Sequence, residues 1–330
     1  MSGSVSGQSP NSKELQKRFE AEAPAAWDEF RQANRYAQGT WKGETEATGL
    51  ADKYRGETEL KVNETCRVLR VTDRTANTSE VFAQNPKYWF HLKSGKGKAW
   101  ILFELYQTEQ FNSDNAKEID RRLNEYGGRM AENSVRLNPD EQLLSELIRS
   151  PQTRFISVIS SQQDGVELVE VKFETPENTN PRKLTGGVLL LQPTRNWLPV
   201  KTTAFTRNRV GTGTHTVQFE YLPGQYPLPR HADSGEVYQL FTDPNPWKSS
   251  STGDYNFRVP ERLPDTQEFT LTAFGLPEPV GVVWVKPTPR YVWFLAAAVV
   301  FALVAITFRW LARRRETPSI SPTLSGPATT

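Results

Sequence analysis

The stretch VLLLQPTRNWLPVKTTAFTRNRVGTGTHTVQFEY, residues 188–221, decides the fold. Apolar, β-branched and aromatic residues fill three of its segments, VLLLQ, LPVKTTAFT and HTVQFEY. Polar and glycine-containing turns separate these segments, such as Val210-Gly211-Thr212-Gly213. Short apolar runs bounded by turn residues are typical of antiparallel strands. We therefore predict successive antiparallel strands through this part of the chain.

The strand pattern also extends towards the N-terminus. FISVIS at 155–160 and VELVEVKFE at 166–174 come before it, and the second alternates apolar with charged residues. That alternation predicts a sheet with one buried face and one charged face. Strand periodicity also runs from Gly56 through LKVNETCRVLRVTD, and KYWFHLK and KAWILFELY predict a hairpin. Both faces of WILFELY are largely apolar, so we expect this strand to be covered on both sides.

Helical periodicity marks four segments. Two short helices are expected at Ser12–Glu22 and Pro24–Ala37, separated at Pro24 and lying on the sheet by one face. Two more are expected at 113–127 and at 138–150, where Asn138 suits an N-cap. The predicted fold class is therefore α+β, a curved antiparallel sheet resembling a half-barrel and covered by helices.

A single membrane span is predicted near the end of the chain. YVWFLAAAVVFALVAITF, residues 291–308, contains no charge, proline or glycine. As a helix it covers roughly 27 Å, close to a hydrocarbon core of about 30 Å, and Leu311 and Ala312 can lengthen it. Aromatic and basic residues suited to the membrane interface flank the span: Trp293, Arg309, Trp310, Arg313, Arg314 and Arg315.

The chain is predicted to divide into five parts. These are a disordered N-terminus at 1–11, the half-barrel-like domain at 12–221, a proline-rich stalk with one strand (FTLTAF, 269–274) at 222–290, the transmembrane helix at 291–312, and a basic, then disordered, tail at 313–330. The arginines after the span predict a cytoplasmic C-terminus and an extracytoplasmic domain. The first 25 residues contain no apolar run, so this orientation requires a signal peptide upstream of Met1. The alternative is a tail-anchored protein with a cytoplasmic domain.

Composition argues against several classes of function. The 40 basic and 38 acidic residues are interspersed, which predicts no nucleic-acid partner. The three histidines are scattered and are expected to face solvent, and Cys66 is expected to be a buried apolar residue, so we predict no metal site and no cofactor. No GxSxG or phosphate-loop motif occurs. We therefore expect a protein that is not an enzyme.

Aromatic residues on neighbouring strands are the candidate ligand-lining residues. They are Tyr88, Phe90, Trp100, Phe103, Trp197, Phe205, Phe219 and Tyr221. A curved sheet lined by rings can hold an apolar ligand such as an acyl chain. An ordinary sheet core explains the same residues, and both interpretations stay open.

The order of these elements resembles a known family. A leading helix is followed by strands and helices, then by a strand opening with Leu198-Pro199-Val200 and a polar hairpin before Val217-Gln218-Phe219. Over Ala25 to Tyr221 this is similar to the half-barrel of the LolA/RseB-like periplasmic lipoprotein carriers. The resemblance implies an incomplete β-barrel closed by helices, with an apolar cavity and no enzymatic activity.

These observations predict a single-pass membrane protein whose domain binds an apolar ligand, lipid or lipoprotein-like, or senses at the membrane surface. Its expected partners are the lipid bilayer and an apolar ligand or a membrane-associated protein. The alternative is a structural or signalling protein with a solid core that docks a protein partner.

Overall fold

The computed structural model describes residues 10–48, 53–95, 97–108, 143–175, 184–282, 284 and 290–315. The chain divides after Glu278 into a sheet domain and a C-terminal segment. The predicted helix at 113–127 and the beginning of the one at 138–150 lie outside the described residues. So do most of the two predicted disordered ends.

The described part of the chain contains three α-helices and thirteen strands. In order these are α1 Pro10–Ala33, β1 Gln38–Ala47, β2 Tyr54–Val62, β3 Arg67–Asp73, β4 Thr78–Gln84, β5 Tyr88–Gly95, β6 Ile101–Gln107, α2 Leu144–Arg149, β7 Arg154–Gln163, β8 Val166–Glu174, β9 Leu184–Gln192, β10 Leu198–Arg207, β11 Gly211–Tyr221, β12 Pro229–Leu240, β13 Trp247–Arg258 and α3 Arg290–Arg315. Short 3-10 helices lie at Pro193–Arg195, Thr266–Phe269 and Leu271–Phe274.

All thirteen strands belong to one sheet, in the order β6-β5-β4-β3-β2-β1-β13-β12-β11-β10-β9-β8-β7. Two antiparallel meanders, β1 to β6 and β7 to β13, are joined where β1 pairs with β13. The sheet is not closed, because β6 and β7 stand at its two ends. The predicted fold class, a large antiparallel half-barrel-like sheet with helices, is confirmed.

One face of the sheet, the inner face, carries the core. Val158, Val171, Leu189, Thr202 and Val217 lie beside one another across β7 to β11, and all are buried. Helices α1 and α2 pack on this face over β7 to β10. On the opposite, outer face of β8 Glu170, Lys172 and Glu174 are exposed, as the alternation predicted.

Helix α1 runs without interruption through Pro24, so the prediction of two separate helices is wrong. Proline inside a helix removes one backbone hydrogen bond. Here the apolar stripe continues across it, because Phe19, Ala23, Trp27 and Phe30 are all fully buried against the sheet. Their burial offsets the lost hydrogen bond.

The segment predicted as an irregular stalk contains two of the longest strands, so that interpretation is wrong for residues 229–258. Strands β12 and β13 lie in the middle of the sheet. The prolines of this segment fall at turns and strand starts, as Pro229, Pro244 and Pro246 do. Proline is tolerated at the first residue of a strand and in turns, so a high proline content does not exclude strands here.

The predicted strand at 269–274 forms two 3-10 helices instead. The Asp265 carboxylate accepts a hydrogen bond from the Gln267 backbone N–H at 3.0 Å, and Glu268 completes a capping box. Such a box starts a helical turn. Phe269 and Leu271 are nevertheless both buried, which explains why the pattern resembled a strand.

The hairpin of KYWFHLK with KAWILFELY is present as β5 and β6. The expectation that the second strand is covered on both sides is wrong. Ile101, Leu102 and Phe103 are all exposed, so side chains of both faces in the first half of β6 reach solvent. Strand β1 had no clear apolar alternation and was not predicted.

Among the described residues, α3 is the one helix long and apolar enough to cross a membrane, over Phe294–Leu311. The predicted transmembrane segment is therefore helical, and Arg309 and Trp310 lie in its last part. The described side chains of α3, from Phe294 to Leu311, are exposed. The side chains of Trp293 and of Arg313, Arg314 and Arg315 lie outside the described residues.

Candidate functional site

A groove of about 710 Å³ opens between the first turns of α1 and the end strand β7. Leu15, Val158 and Ile159 form its apolar part. Polar side chains surround them: Ser12, Glu14, Arg18, Ser160 and Glu167. This volume lies within the usual range for small-molecule sites, about 300–1,000 Å³.

Long-range contacts hold the two walls of the groove together. The Ser12 hydroxyl donates to the Val158 carbonyl at 2.9 Å, which ties the start of α1 to β7. Six residues further along α1, the Arg18 guanidinium lies 5.3 Å from the ring of Trp197 and pairs with Glu22 at 3.1 Å. The groove is therefore a fixed gap between a helix and a strand, with a cation at its rim.

The inner face continues beyond α1 and α2 as a second apolar cluster on β1 to β5 and β11 to β13. The Trp41 indole lies directly on Gly43 and Gly253, where an added Cβ would come within 2.3 Å of the ring. Only glycine leaves room for the ring at these two positions. The indole Nε1 is buried without a hydrogen-bond partner, as are Thr58 Oγ1 and His91 Nδ1 on the same face.

The eight candidate ligand-lining aromatics do not share one face. Tyr88 and Phe90 are fully buried on the outer face, where the 3-10 segment covers them. The Tyr88 hydroxyl donates to Glu278 Oε2 at 2.6 Å and accepts from the Leu271 N–H at 3.0 Å. Burial, together with the Glu278 carboxylate, raises the pKa of Tyr88 above its usual value. Trp100 meets Phe274 of the same segment at 5.8 Å.

The other five occupy different surroundings. Trp197 packs 5.7 Å from Phe19 beneath α1, and Phe219 and Tyr221 lie 5.9 Å apart on the inner face. Phe103 is exposed on β6. Phe205 follows the buried Ala204 and so points to the outer face. None of the eight lines the groove between α1 and β7.

His91 is buried on the inner face, so the expectation of a solvent-facing residue is wrong for it. Its ring stacks on Phe82 at 4.4 Å, and its Nε2 lies 2.6 Å from Glu80 Oε2. Burial acts to raise the pKa of Glu80, but the hydrogen bond to His91 and the charge of Lys93 outweigh it and lower the pKa. Cys66 is buried as predicted, in the turn after β2.

His231 lies among hydrogen-bonding groups on the outer face of β12. Its Nδ1 is 2.7 Å from Asp254 Oδ1, and its Nε2 is 3.3 Å from both Asp233 Oδ1 and the Thr252 hydroxyl. It lines neither of the two described cavities, the groove and a smaller one beside β12 and β13. In the described residues no group of three or more His, Cys, Asp or Glu could hold a metal ion.

Stability should depend on pH through His231. The hydrogen bond to Asp254 raises the pKa of His231 above its usual value of 6.5. Its stabilisation is therefore fully present below about pH 6.5 and is lost as the pH rises through the raised pKa. The destabilisation caused by Asp254→Asn should thus be larger at about pH 6 than at about pH 9. Urea unfolding of the full chain in mild detergent measures this difference, and equal destabilisation at both pH values would contradict it.

The residues that line the groove could not be found from the sequence. Leu15 and the FISVIS segment were each assigned to an element correctly. Their proximity depends on a contact between residues 146 positions apart, Ser12 with Val158. The only signal was the amphipathic pattern of α1, which predicts that it lies on the sheet but not over which strands.

Comparisons with known proteins were made for the whole chain. No protein-family model matches the sequence, and no curated protein matches it. Solved structures do match, among them an outer membrane lipoprotein-sorting protein domain from Vibrio parahaemolyticus (9% identity, 77% of this chain and 99% of that chain, TM-score 0.39). A DUF1329 family protein from Desulfovibrio piger gives the same values. A LolA superfamily protein from Nitrosomonas europaea gives 11% identity, 76% and 98% coverage and a TM-score of 0.36. The names of the first and third of these proteins are those of the lipoprotein-carrier class that the strand order resembles.

Proposed function

We propose that this protein is a single-pass membrane protein, without enzymatic activity, whose sheet domain binds an apolar ligand that carries an acyl chain. The ligand occupies the groove between α1 and β7. A lipid or the lipid-modified end of a lipoprotein has the required chemistry, an apolar chain with a polar head.

The groove carries this proposal. Leu15, Val158 and Ile159 supply an apolar surface, and Arg18 with the hydroxyl groups at the rim supplies partners for a polar head. The sheet is unclosed at β7, so the groove lies where a chain can enter beside the core. Small-molecule sites combine an apolar surface with polar groups that orient the ligand. Here most of the lining residues are polar, which suits a ligand with a polar head.

Unpartnered polar atoms on the inner face also support ligand binding. Solid protein cores pair nearly all their buried polar groups. The atoms Trp41 Nε1, Thr58 Oγ1 and His91 Nδ1 are buried without a partner, and each costs about 1–3 kcal/mol in that state. These atoms lie on β1, β2 and β5, away from the groove. They therefore support ligand binding by the inner face in general and not the choice of the groove.

Membrane anchoring and orientation are part of the proposal. The part of α3 from Phe294 to Leu311 is long and apolar enough for a span. The arginines at 309 and 313–315 favour a cytoplasmic C-terminus, which places the sheet domain outside the cytoplasm.

A second candidate function, docking of a protein partner by a solid core, also has an observation in its favour. The inner face is closely packed under the helices, where Trp27, Leu189 and Leu191 are almost inaccessible. In that case the groove would be a surface feature without a ligand.

Filling the groove tests the proposal. Ser160 is exposed and lines the groove from β7, whereas its neighbour Ser161 is exposed and does not line it. We expect Ser160→Trp to reduce labelling of α1 and β7 by a photoactivatable palmitic acid in proteoliposomes. The expected reduction is about tenfold, equivalent to about 1.4 kcal/mol of binding free energy. The measurement is mass spectrometry of the labelled peptides.

Ser161→Trp is the matched control, and the palmitic acid probe should label it to the same extent as the natural protein. Equal labelling of the two variants, or labelling confined to α3, would contradict binding in the groove and favour the solid-core alternative.

A further inference from the structure

Two neighbouring turns at one end of the sheet expose apolar side chains together. They are the turn at 208–210 between β10 and β11 and the turn at 241–246 between β12 and β13. These two turns and the flanking residues Leu240 and Trp247 are together called the paired tip. The exposed fractions are 58% for Val210, 56% for Phe241 and 40% for Trp247. An exposed group of this kind marks an interaction surface more often than scattered single residues do.

The two turns are in direct contact, so their exposed apolar side chains lie at the same end of the sheet. The Phe241 N–H donates to the Val210 carbonyl at 2.9 Å. Strands β11 and β12 pair along their whole length and bring the turns to the same end of the sheet. The paired tip therefore joins residues that are about thirty positions apart in sequence.

Hydrogen bonds within the tip fix its shape. The Asn208 side-chain oxygen accepts from the Val210 and Gly211 N–H groups, both at 2.9 Å, and from the Tyr238 hydroxyl at 2.8 Å. In the second turn the Asp243 carboxylate accepts from the Asn245 N–H at 2.9 Å. Both turns are thus ordered while their apolar side chains project from them.

The tip is also basic. Residues 207–213 and 239–248 contain Arg207, Arg209 and Lys248 against the single acid Asp243. The Arg207 guanidinium lies 5.9 Å from the Phe241 ring, which places a cation directly beside the exposed aromatic. Tryptophan and phenylalanine next to arginine and lysine are the residues that settle at the boundary of an anionic membrane.

We propose that the paired tip binds the surface of a bilayer containing anionic lipid, with Phe241 and Trp247 entering the interface and Arg207, Arg209 and Lys248 contacting lipid phosphates. This contact goes beyond the proposed function, because it uses neither the groove nor the span. It gives the sheet domain its own membrane-binding surface.

A fluorescent reporter tests the proposal in the full chain. An environment-sensitive NBD label at Thr242→Cys, in a Cys66→Ala background, reports on the exposed second turn. The matched control label is at Asp164→Cys, in the turn between β7 and β8 at the opposite end of the sheet. The chain is reconstituted into vesicles of phosphatidylcholine with and without phosphatidylglycerol, and a quencher is supplied as doxyl-labelled phosphatidylcholine.

The expected result is a blue-shifted emission at position 242 that the doxyl lipid quenches, with stronger quenching in vesicles containing phosphatidylglycerol. Position 164 should be neither shifted nor quenched. Phe241→Ser with Trp247→Ser should abolish the quenching, and Arg207→Gln with Arg209→Gln should remove its dependence on anionic lipid.

Two results would overturn the proposal. One is the same unquenched emission at positions 242 and 164, and the other is a blue shift at 242 without quenching, which indicates contact with protein. Flotation of the same vesicles after alkaline washing reports on α3 alone. A result against membrane binding by the paired tip is therefore distinguishable from a result against membrane insertion of α3.

Discussion

Replacing Val299 and Leu303 together with arginine is expected to release the protein from the membrane. The ten Leu, Ile, Val and Phe residues of the span favour insertion by about 3–6 kcal/mol in total. Two central arginines oppose it by about 5–7 kcal/mol, and the two apolar side chains they replace are lost as well. Insertion becomes unfavourable, and the variant should move from the alkali-resistant membrane pellet to the supernatant.

Both positions are exposed on α3, so the two charges do not disturb the packing seen in the structure. The matched control is the pair Val166→Arg and Val259→Arg, which adds the same charges at exposed positions of the sheet domain. The control should stay in the pellet. A doubly charged α3 that still resists alkaline extraction would show that the helix is not what holds the protein on the membrane.

The largest loss of stability is expected for Trp27→Ala. Trp27 is fully buried between α1 and the sheet, and its Nε1 donates to the Trp197 carbonyl at 2.8 Å. Truncation of a buried tryptophan typically costs 3–5 kcal/mol, and the unpaired carbonyl adds about 1–3 kcal/mol. Domains of this kind have a total stability of about 5–15 kcal/mol. The sheet domain should therefore be partly or wholly unfolded at ambient temperature.

Urea unfolding of the full chain in mild detergent, followed by circular dichroism, measures this effect. Trp247→Ala removes the same side chain from the exposed start of β13 and should change the free energy of unfolding by no more than about 0.5 kcal/mol. Trp27→Phe keeps a ring beside Phe19 but loses the hydrogen bond. Its free energy of unfolding should therefore lie between those of Trp27→Ala and Trp247→Ala. A Trp27→Ala variant as stable as Trp247→Ala would mean that α1 does not close the core.

The local pattern predicted most of the strands and their antiparallel order because alternation of apolar and polar residues is a property of neighbours in sequence. It could not predict that β13 pairs with β1, since Trp41 and Tyr255 are more than 200 positions apart. That pairing turns the expected stalk into the middle of the sheet. Proline content was misleading for the same reason, because the prolines mark the turns around β12 and β13 and not a break in the sheet.

The candidate site was less predictable than the fold. Aromatic side chains at 88 and 103 belong to adjacent strands, yet one points outward and the other inward, and a bulge between His91 and Leu92 shifts their register. The aromatic residue type alone therefore could not distinguish core residues from ligand-lining residues. The groove forms only where α1 packs beside β7, and that position is set by tertiary packing and not by the local sequence pattern.

Native mass spectrometry of the full chain, purified from its own membrane in a mild detergent and released from the micelle, tests the central claim most directly. We predict a discrete added mass of one acyl-chain compound on the natural protein and on Ser161→Trp, and its loss from Ser160→Trp. A bare polypeptide mass for the natural protein, or the same added mass on both variants, would contradict binding in the groove between α1 and β7.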